Sequence, residues 1–406
     1  MKKVYCVNPF IQFSHTADGY YRACCVASVN RRKEFNTDTL TPLEYFNSDE
    51  MKNLRQDMIT GDFSNETKEI CKQCIYNSER NIRNKRTNDN SSYLHKQSVQ
   101  EAINFVEENP DADLDPKYLE YVNFKSLGNL CNLKCIMCGP TASSKIFAEY
   151  KLMYPNKYKG VNTIMNPYDK ETKDLYWQDL EVVFEKVNKF TLVGGEAMIH
   201  PDFPELFEMF YRNKNAKNVE LQITSNGTVM PDYVLENAHK FRNLHFSMSV
   251  DGIEGRGSYI RTGLDWDTWD KNCQKALNSD LDVKFSTAIQ LLNLGYIDEI
   301  YEYLLNLNAE HRLTYSGLVT HPTYYRAINI PNEIKKQYLK RIEKSPINNC
   351  KDAQTTIDIL RIDQENPRDF MNGMMELKRL DNFRNTNLLD HYPEFEKYYK
   401  LNLKKI

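Results

Sequence analysis

Cys131-Asn132-Leu133-Lys134-Cys135-Ile136-Met137-Cys138 places three cysteines inside eight residues. Three thiolates at this spacing can hold three irons of a [4Fe–4S] cube and leave the fourth iron without a protein ligand. Clusters that only carry electrons usually take four cysteines. An open iron can bind a small molecule and pass it an electron, so the spacing points to chemistry as well as structure. A zinc site could use the same CxxxCxxC segment, and on spacing alone that alternative stays open.

Working outward, residues 116–330 alternate short apolar runs with helical stretches. Strands are expected near 119–126, 187–193, 219–225, 243–250, 283–290 and 313–320. Six βα-type repeats imply a parallel sheet with helices outside it. In barrels of this kind the chemistry sits at the C-terminal ends of the strands. Residues 139–186 form an insertion between the first two strands, helical around 177–187.

The strand ends carry the other candidate residues. Gly194-Gly195-Glu196 follows the run Phe190-Thr191-Leu192-Val193. Glycines there let the backbone approach a ligand closely, and a carboxylate can accept hydrogen bonds from an ammonium group. Thr224-Ser225-Asn226-Gly227 ends the next strand and Ser249-Val250-Asp251-Gly252 the one after. Asn-Gly and Asp-Gly are also ordinary turn pairs, because they favour positive φ. Arg261, in Tyr259-Ile260-Arg261-Thr262-Gly263, supplies a guanidinium able to grip a carboxylate through two parallel hydrogen bonds.

The first 115 residues form an accessory unit. Residues 4–13 are expected as a strand, turning at Asp18-Gly19 into Tyr20–Val26. Thr41-Pro42-Leu43-Glu44 and Ser98-Val99-Gln100-Glu101 are capping boxes, each opening a helix. Val99, Ala102, Ile103 and Val106 repeat at helical spacing after the second. Asn109–Asp113 is the linker. Residues 331–406 are helical, with Ile334, Tyr338, Leu339 and Ile342 on one face and a second helix around Phe370–Leu380.

The chain has 406 residues, 41% hydrophobic and 12% aromatic, enough for a sizeable core. Fifty-three basic against 56 acidic residues give a net charge of −3, so no global field favours nucleic acid or acidic membranes. Mean hydropathy is −0.66. No apolar run approaches the roughly 18 residues of a membrane span, and the N-terminus lacks the apolar core of a signal peptide. A reducing cytoplasm is the expected setting, where clustered cysteines more often bind metal or do redox work than form disulfides. Cys6, Cys24, Cys25, Cys71 and Cys74 make a second group among the ten cysteines. Four of these thiolates could bind zinc or a complete [4Fe–4S] cluster. Cys273 and Cys350 stand alone and are expected as small buried hydrophobes. Arg80, Arg83, Lys85 and Arg86 are expected on a solvated helix face.

CxxxCxxC, with Cys-Asn-Leu-Lys-Cys inside it, resembles the radical S-adenosylmethionine (radical SAM) superfamily. Together with the N-terminal cysteines it resembles the SPASM/twitch branch. The resemblance implies an α/β fold, a partial (β/α)6 TIM-like barrel over 116–330. It also implies a cysteine-rich auxiliary-cluster domain over 1–115 and a helical segment over 331–406. It implies a [4Fe–4S] cluster on Cys131, Cys135 and Cys138 with S-adenosylmethionine on the open iron. Reductive cleavage then yields a 5′-deoxyadenosyl radical that abstracts hydrogen from a substrate, the organic step belonging to the cofactor. Glu196, with Gly194 and Gly195, would hold the amino group. Ser249, Asn226 and Asp251 would face the ribose and methionine, Arg261 the carboxylate, and Met137 the adenine. Cys6, Cys25, Cys71 and Cys74 would hold an auxiliary cluster, with Cys24 the alternative to Cys25. The implied partners are a low-potential electron donor and a substrate that is a peptide or protein by analogy. A small sugar or nucleotide substrate, or a metal-binding module without turnover, are the rival readings. No residue is singled out as hydrogen donor or acceptor for the substrate.

Overall fold

The computed structural model describes residues 4–79 and 84–401. Arg80 and Arg83 of the basic stretch, and the last five residues, lie outside that range. Contacts divide the chain into two compact units. The first comprises residues up to 131 with 140–224 and 231–245; the second comprises 132–139, 225–230 and 246 onward.

The strands in chain order are β1 (Gln12–His15), β2 (Tyr21–Arg22), β3 (Tyr121–Phe124), β4 (Lys134–Cys135), β5 (Lys189–Leu192), β6 (Glu220–Ser225), β7 (Asn243–Ser249), β8 (Arg261–Thr262), β9 (Asp282–Ile289) and β10 (Leu313–Leu318). In the first unit the order is β2-β1-β3-β5-β6-β7, and in the second β7-β9-β10, because the boundary falls inside β7. The β1–β3, β3–β5, β5–β6 and β9–β10 pairs are parallel and the β1–β2 hairpin antiparallel, with Gln12 opposite Tyr121, Tyr121 opposite Lys189, and Lys189 opposite Glu220. The six expected strands are thus present, joined by helices such as Lys173–Phe184, Phe203–Arg212 and Trp266–Leu277. This is the mostly parallel α/β class of a partial barrel.

Aromatic rings fill the core of the first unit. Phe13, Phe124, Phe190 and Phe210 follow one another with centroids 5.3, 5.5 and 4.8 Å apart. Such spacing adds about 0.5–1.5 kcal/mol per pair to the area term. In the helix Phe203–Arg212 the buried residues are Phe203, Leu206, Phe207 and Phe210, the spacing of one helical face. The second unit closes around Leu291, Leu292, Ile330, Ile334, Phe370 and Met374, and Ile136 of the cysteine segment is buried in this same cluster. The helices Asn332–Ile342 and Pro367–Arg384 supply much of it.

Several local expectations are corrected. Residues 8–11 form a short helix, with Pro9 in its first turn where a missing N–H costs nothing, and the strand begins only at Gln12. The turn at Gly19 stands (φ +81°), but the returning strand is just Tyr21–Arg22. Thr41 and Glu44 form the expected capping box. Ser98 does not cap: the helix begins at Gln97, and the Ser98 hydroxyl donates to Glu120 instead, 3.2 Å away. Within the 139–186 insertion a helix at Ser144–Met153, capped by Ser143, was not expected. Cys273 is fully buried, whereas Cys350 is half-buried at the edge of the second core. Among the described residues no helix is long and apolar enough to cross a membrane.

Candidate cofactor site

In the second unit the cysteine segment is held as a strand. β4 pairs antiparallel with β8, setting Cys135 opposite Arg261 and Lys134 opposite Thr262. The Ile136 N–H donates to the Ile260 carbonyl (2.8 Å), and the Cys138 N–H closes a turn onto Cys135 (3.0 Å). Cys135 is buried and Cys138 half-buried. A hydrogen bond with Cys138, then burial, pushes the Cys135 thiol well above its ordinary pKa. A metal would have to displace that proton.

Arg261 faces Cys135. Its guanidinium lies 3.8 Å from the Cys135 sulfur and is ion-paired with Asp251 at 2.6 Å. Asp251 is fully buried and also accepts the Ala288 N–H at 2.8 Å. Burial works against the Arg261 charge, but Asp251 and the two cysteine sulfurs outweigh it and raise its pKa. Asp251 therefore holds Arg261 in place, and the Arg261 Nε remains buried without a partner.

Asn226 braces the same segment. Its amide donates to the Asn132 side chain (2.9 Å) and its oxygen accepts from the Thr228 N–H and hydroxyl (3.0 and 2.7 Å). Asn132 in turn donates to Thr228 (2.9 Å). Ser249 is half-buried at the end of β7. Met137 packs against the second core, with the Gln290 amide nitrogen 3.9 Å from its sulfur. Gln290 is fully buried one residue beyond β9, and its side-chain oxygen has no partner. Sequence reasoning passed over it; its place at a strand end was the available signal.

In the first unit Cys131 is buried, and its N–H donates to the Ser144 hydroxyl (3.2 Å). The Gly-Gly-Glu turn lies directly against the residues before it. The Gly195 N–H donates to Gly128 (3.1 Å) and the Glu196 N–H to Leu130 (2.7 Å). A Cβ on Gly195 would meet the Leu130 oxygen at 2.1 Å, so only glycine permits this approach. Glu196 is buried, and its carboxylate accepts from the Met198 N–H at 3.4 Å. Within the first unit a thiol, a glycine cradle and a buried carboxylate, and within the second two thiols and the unpartnered Gln290 oxygen, are each donor types that a cluster or an amino-acid-bearing nucleoside could use.

The N-terminal cysteines line a different cavity, wholly within the first unit. It measures only about 30 Å³, and its lining includes Cys6, Cys24, Cys71 and Cys74. Cys25, preferred from the sequence, is absent from that lining. Among the described residues no three Cys, His, Asp or Glu side chains converge on a single-ion position; these four thiols surround a space instead. Burial pushes Cys24 and Cys71 up to about 12. Arg86, expected in solvent, turns inward to donate to the Tyr5 carbonyl (3.1 Å) and Ser78 (2.9 Å), while Lys85 pairs with Asp89 (2.6 Å).

The mostly parallel α/β sheet with helices defines the fold class as that of a partial barrel. Residues 126–307 match the Radical SAM superfamily. A match to that superfamily implies a [4Fe–4S] cluster and SAM, and supports an enzyme. No curated protein matches the chain. Among solved structures, anSMEcpe with bound AdoMet and the Cp18Cys peptide is 17% identical over 55% of this chain and 58% of its own, TM-score 0.38. Streptococcus suis SuiB bound to S-adenosylmethionine is 13% identical over 80% of this chain and 68% of its own, TM-score 0.39. SuiB bound to precursor peptide SuiA is 12% identical over 93% and 75%, TM-score 0.38. The chain thus spans under two thirds of the anSMEcpe structure.

Proposed function

We propose that this protein is a cytoplasmic radical SAM enzyme of the SPASM/twitch branch acting on a peptide or protein. In this reading residues 1–115 form an auxiliary-cluster module, 116–330 the catalytic barrel and 331–406 a helical segment. Cys131, Cys135 and Cys138 would hold the catalytic [4Fe–4S] cluster, and Glu196, Ser249 and Arg261 would orient SAM. When bound, cluster and SAM supply one-electron cleavage to a 5′-deoxyadenosyl radical that takes hydrogen from the substrate. The chain's own residues fix the geometry: Asn226 and the β4–β8 pairing hold the cysteine segment, Asp251 aims Arg261, and Gly195 lets the Glu196 turn close in.

The observation that carries the reading is the Cys135–Arg261–Asp251 arrangement, a buried cation held against a thiol of the motif by a buried carboxylate. Peptide substrates are proposed by analogy to the branch; SuiB, for its part, was solved with a precursor peptide. The test is anaerobic reconstitution with iron and sulfide, reduction by a low-potential donor, and assay of SAM cleavage. A fully loaded sample is expected to form 5′-deoxyadenosine; failure to do so sinks the proposal.

A further inference from the structure

We propose that Asp381, near the end of the helix Pro367–Arg384, is a positioning residue for Arg261, so that the C-terminal segment sets the cofactor site from behind. This rests on the reading above, which places Arg261 beside the catalytic cluster, and it gives residues 331–406 a task there.

The way the helix ends makes the clamp. Asn385, just past it, takes the left-handed conformation (φ +54°), and the Thr386 N–H closes onto the Asp381 carbonyl at 3.0 Å. Such a turn folds the following residues back over the last helical turn. The Asp381 carboxylate thereby collects the Thr386 hydroxyl (2.6 Å), the Leu388 N–H (2.8 Å) and the Tyr399 hydroxyl (2.6 Å) from the chain after it. Its fourth donor comes from far away in sequence: the Tyr259 hydroxyl, at 3.0 Å, from the helix Glu254–Ile260. Asp381 and Tyr259 are both buried. Out of water, hydrogen bonds to an ionised acceptor are stronger than those to a neutral one.

Tyr259 stands two residues before Arg261, and the residue after Arg261 is held as well. The Thr262 hydroxyl accepts from the Arg384 guanidinium and donates to the Tyr259 carbonyl, each at 3.0 Å. The last turn of the C-terminal helix thus brackets Arg261 through its neighbours. The strand so held is the one that meets the cysteine segment, with the Ile260 carbonyl receiving the Ile136 N–H and Arg261 opposite Cys135. The helix Glu254–Ile260 is seated just as closely on the Asp251 side, because a Cβ on Gly257 would meet the Gly252 oxygen at 2.6 Å. Arg261 and Asp251 therefore flank one short helix whose far end Asp381 fixes. Apolar packing alone would hold a C-terminal helix in place; a buried carboxylate shared among four donors selects one arrangement of it.

The experiment is hydrogen–deuterium exchange by mass spectrometry on the full chain without iron, which reads the backbone independently of turnover. Asp381→Asn keeps the shape and removes the charge. It is expected to speed exchange about tenfold in peptides covering 134–137 and 259–263, with β9 unchanged as the internal reference. Tyr259→Phe, which leaves the carboxylate in place, should do the same, and combining the two should add nothing further. In iron-loaded samples of equal iron content, Asp381→Asn should need roughly tenfold more SAM to shift the EPR spectrum of the reduced cluster. Unchanged exchange in the two peptides, effects that multiply in the double variant, or an unchanged SAM requirement would each overturn the assignment. Equal loss of protection in β9 would overturn it too, because Asp381 would then serve stability alone. Should Asp381→Asn not fold, Tyr259→Phe decides by the same measurements. Failure of the catalytic reading shows elsewhere, as absent 5′-deoxyadenosine from the unmodified, loaded chain.

Discussion

Arg261 shows how a single side chain can serve two masters. Its guanidinium touches the Cys135 sulfur at 3.8 Å while Asp251 neutralises it from the other side. Hydrogen bonds and charge beside a thiolate ligand tune a cluster's potential. If the tri-cysteine segment holds the cluster proposed above, Arg261→Gln is expected to move its midpoint to more negative potential in an EPR-monitored titration. It also strands a buried carboxylate, at a cost of about 3–5 kcal/mol. An unchanged midpoint together with weakened SAM binding would show that the guanidinium acts on the ligand alone.

At the scale of elements, the turn after β5 depends on one missing methyl group. Gly195→Ala would drive a Cβ into the Leu130 carbonyl at 2.1 Å. Backbone cannot swing aside as a side chain can, so a loss of about 2–3 kcal/mol is expected in urea unfolding, with reduced iron loading at the tri-cysteine site. The end of β1 carries a second sensitivity. His15 is buried between the Thr16 carbonyl and the Tyr176 hydroxyl, each 2.9 Å away, with its ring tilted against Phe124 at 4.4 Å between centroids. Burial lowers its pKa from 6.5 to about 4. Because the unfolded chain takes up this proton first, stability is full above pH 6.5 and is lost as pH falls toward 4. The effect is worth roughly 3 kcal/mol. Comparing urea midpoints at pH 7 and pH 4.5 should show this drop, and His15→Gln should flatten it.

For the whole molecule, the two cysteine groups should be separable. Cys135→Ala is expected to abolish 5′-deoxyadenosine formation, whereas Cys74→Ala should spare some uncoupled cleavage if its cluster serves only later steps. Equal and complete loss in both would mean that the N-terminal site is needed for folding or for loading the first cluster.

The sequence by itself determined the chemistry-bearing pattern and the order of elements. Cysteine spacing, glycines at strand ends and the alternation of apolar runs with helical stretches are all local, and local pattern sets what a segment can bind and where a strand can run. Only the tertiary structure decided which groups meet. It chose Cys24 over Cys25 for the N-terminal cavity, turned Arg86 inward, gave Asp251 to Arg261, tied Asn226 to Asn132, and left the Gln290 oxygen buried without a partner. Each of these depends on segments far apart in the chain being packed together, and pairing at such range is set by burial and by satisfying polar groups. Neither can be read from neighbours along the chain.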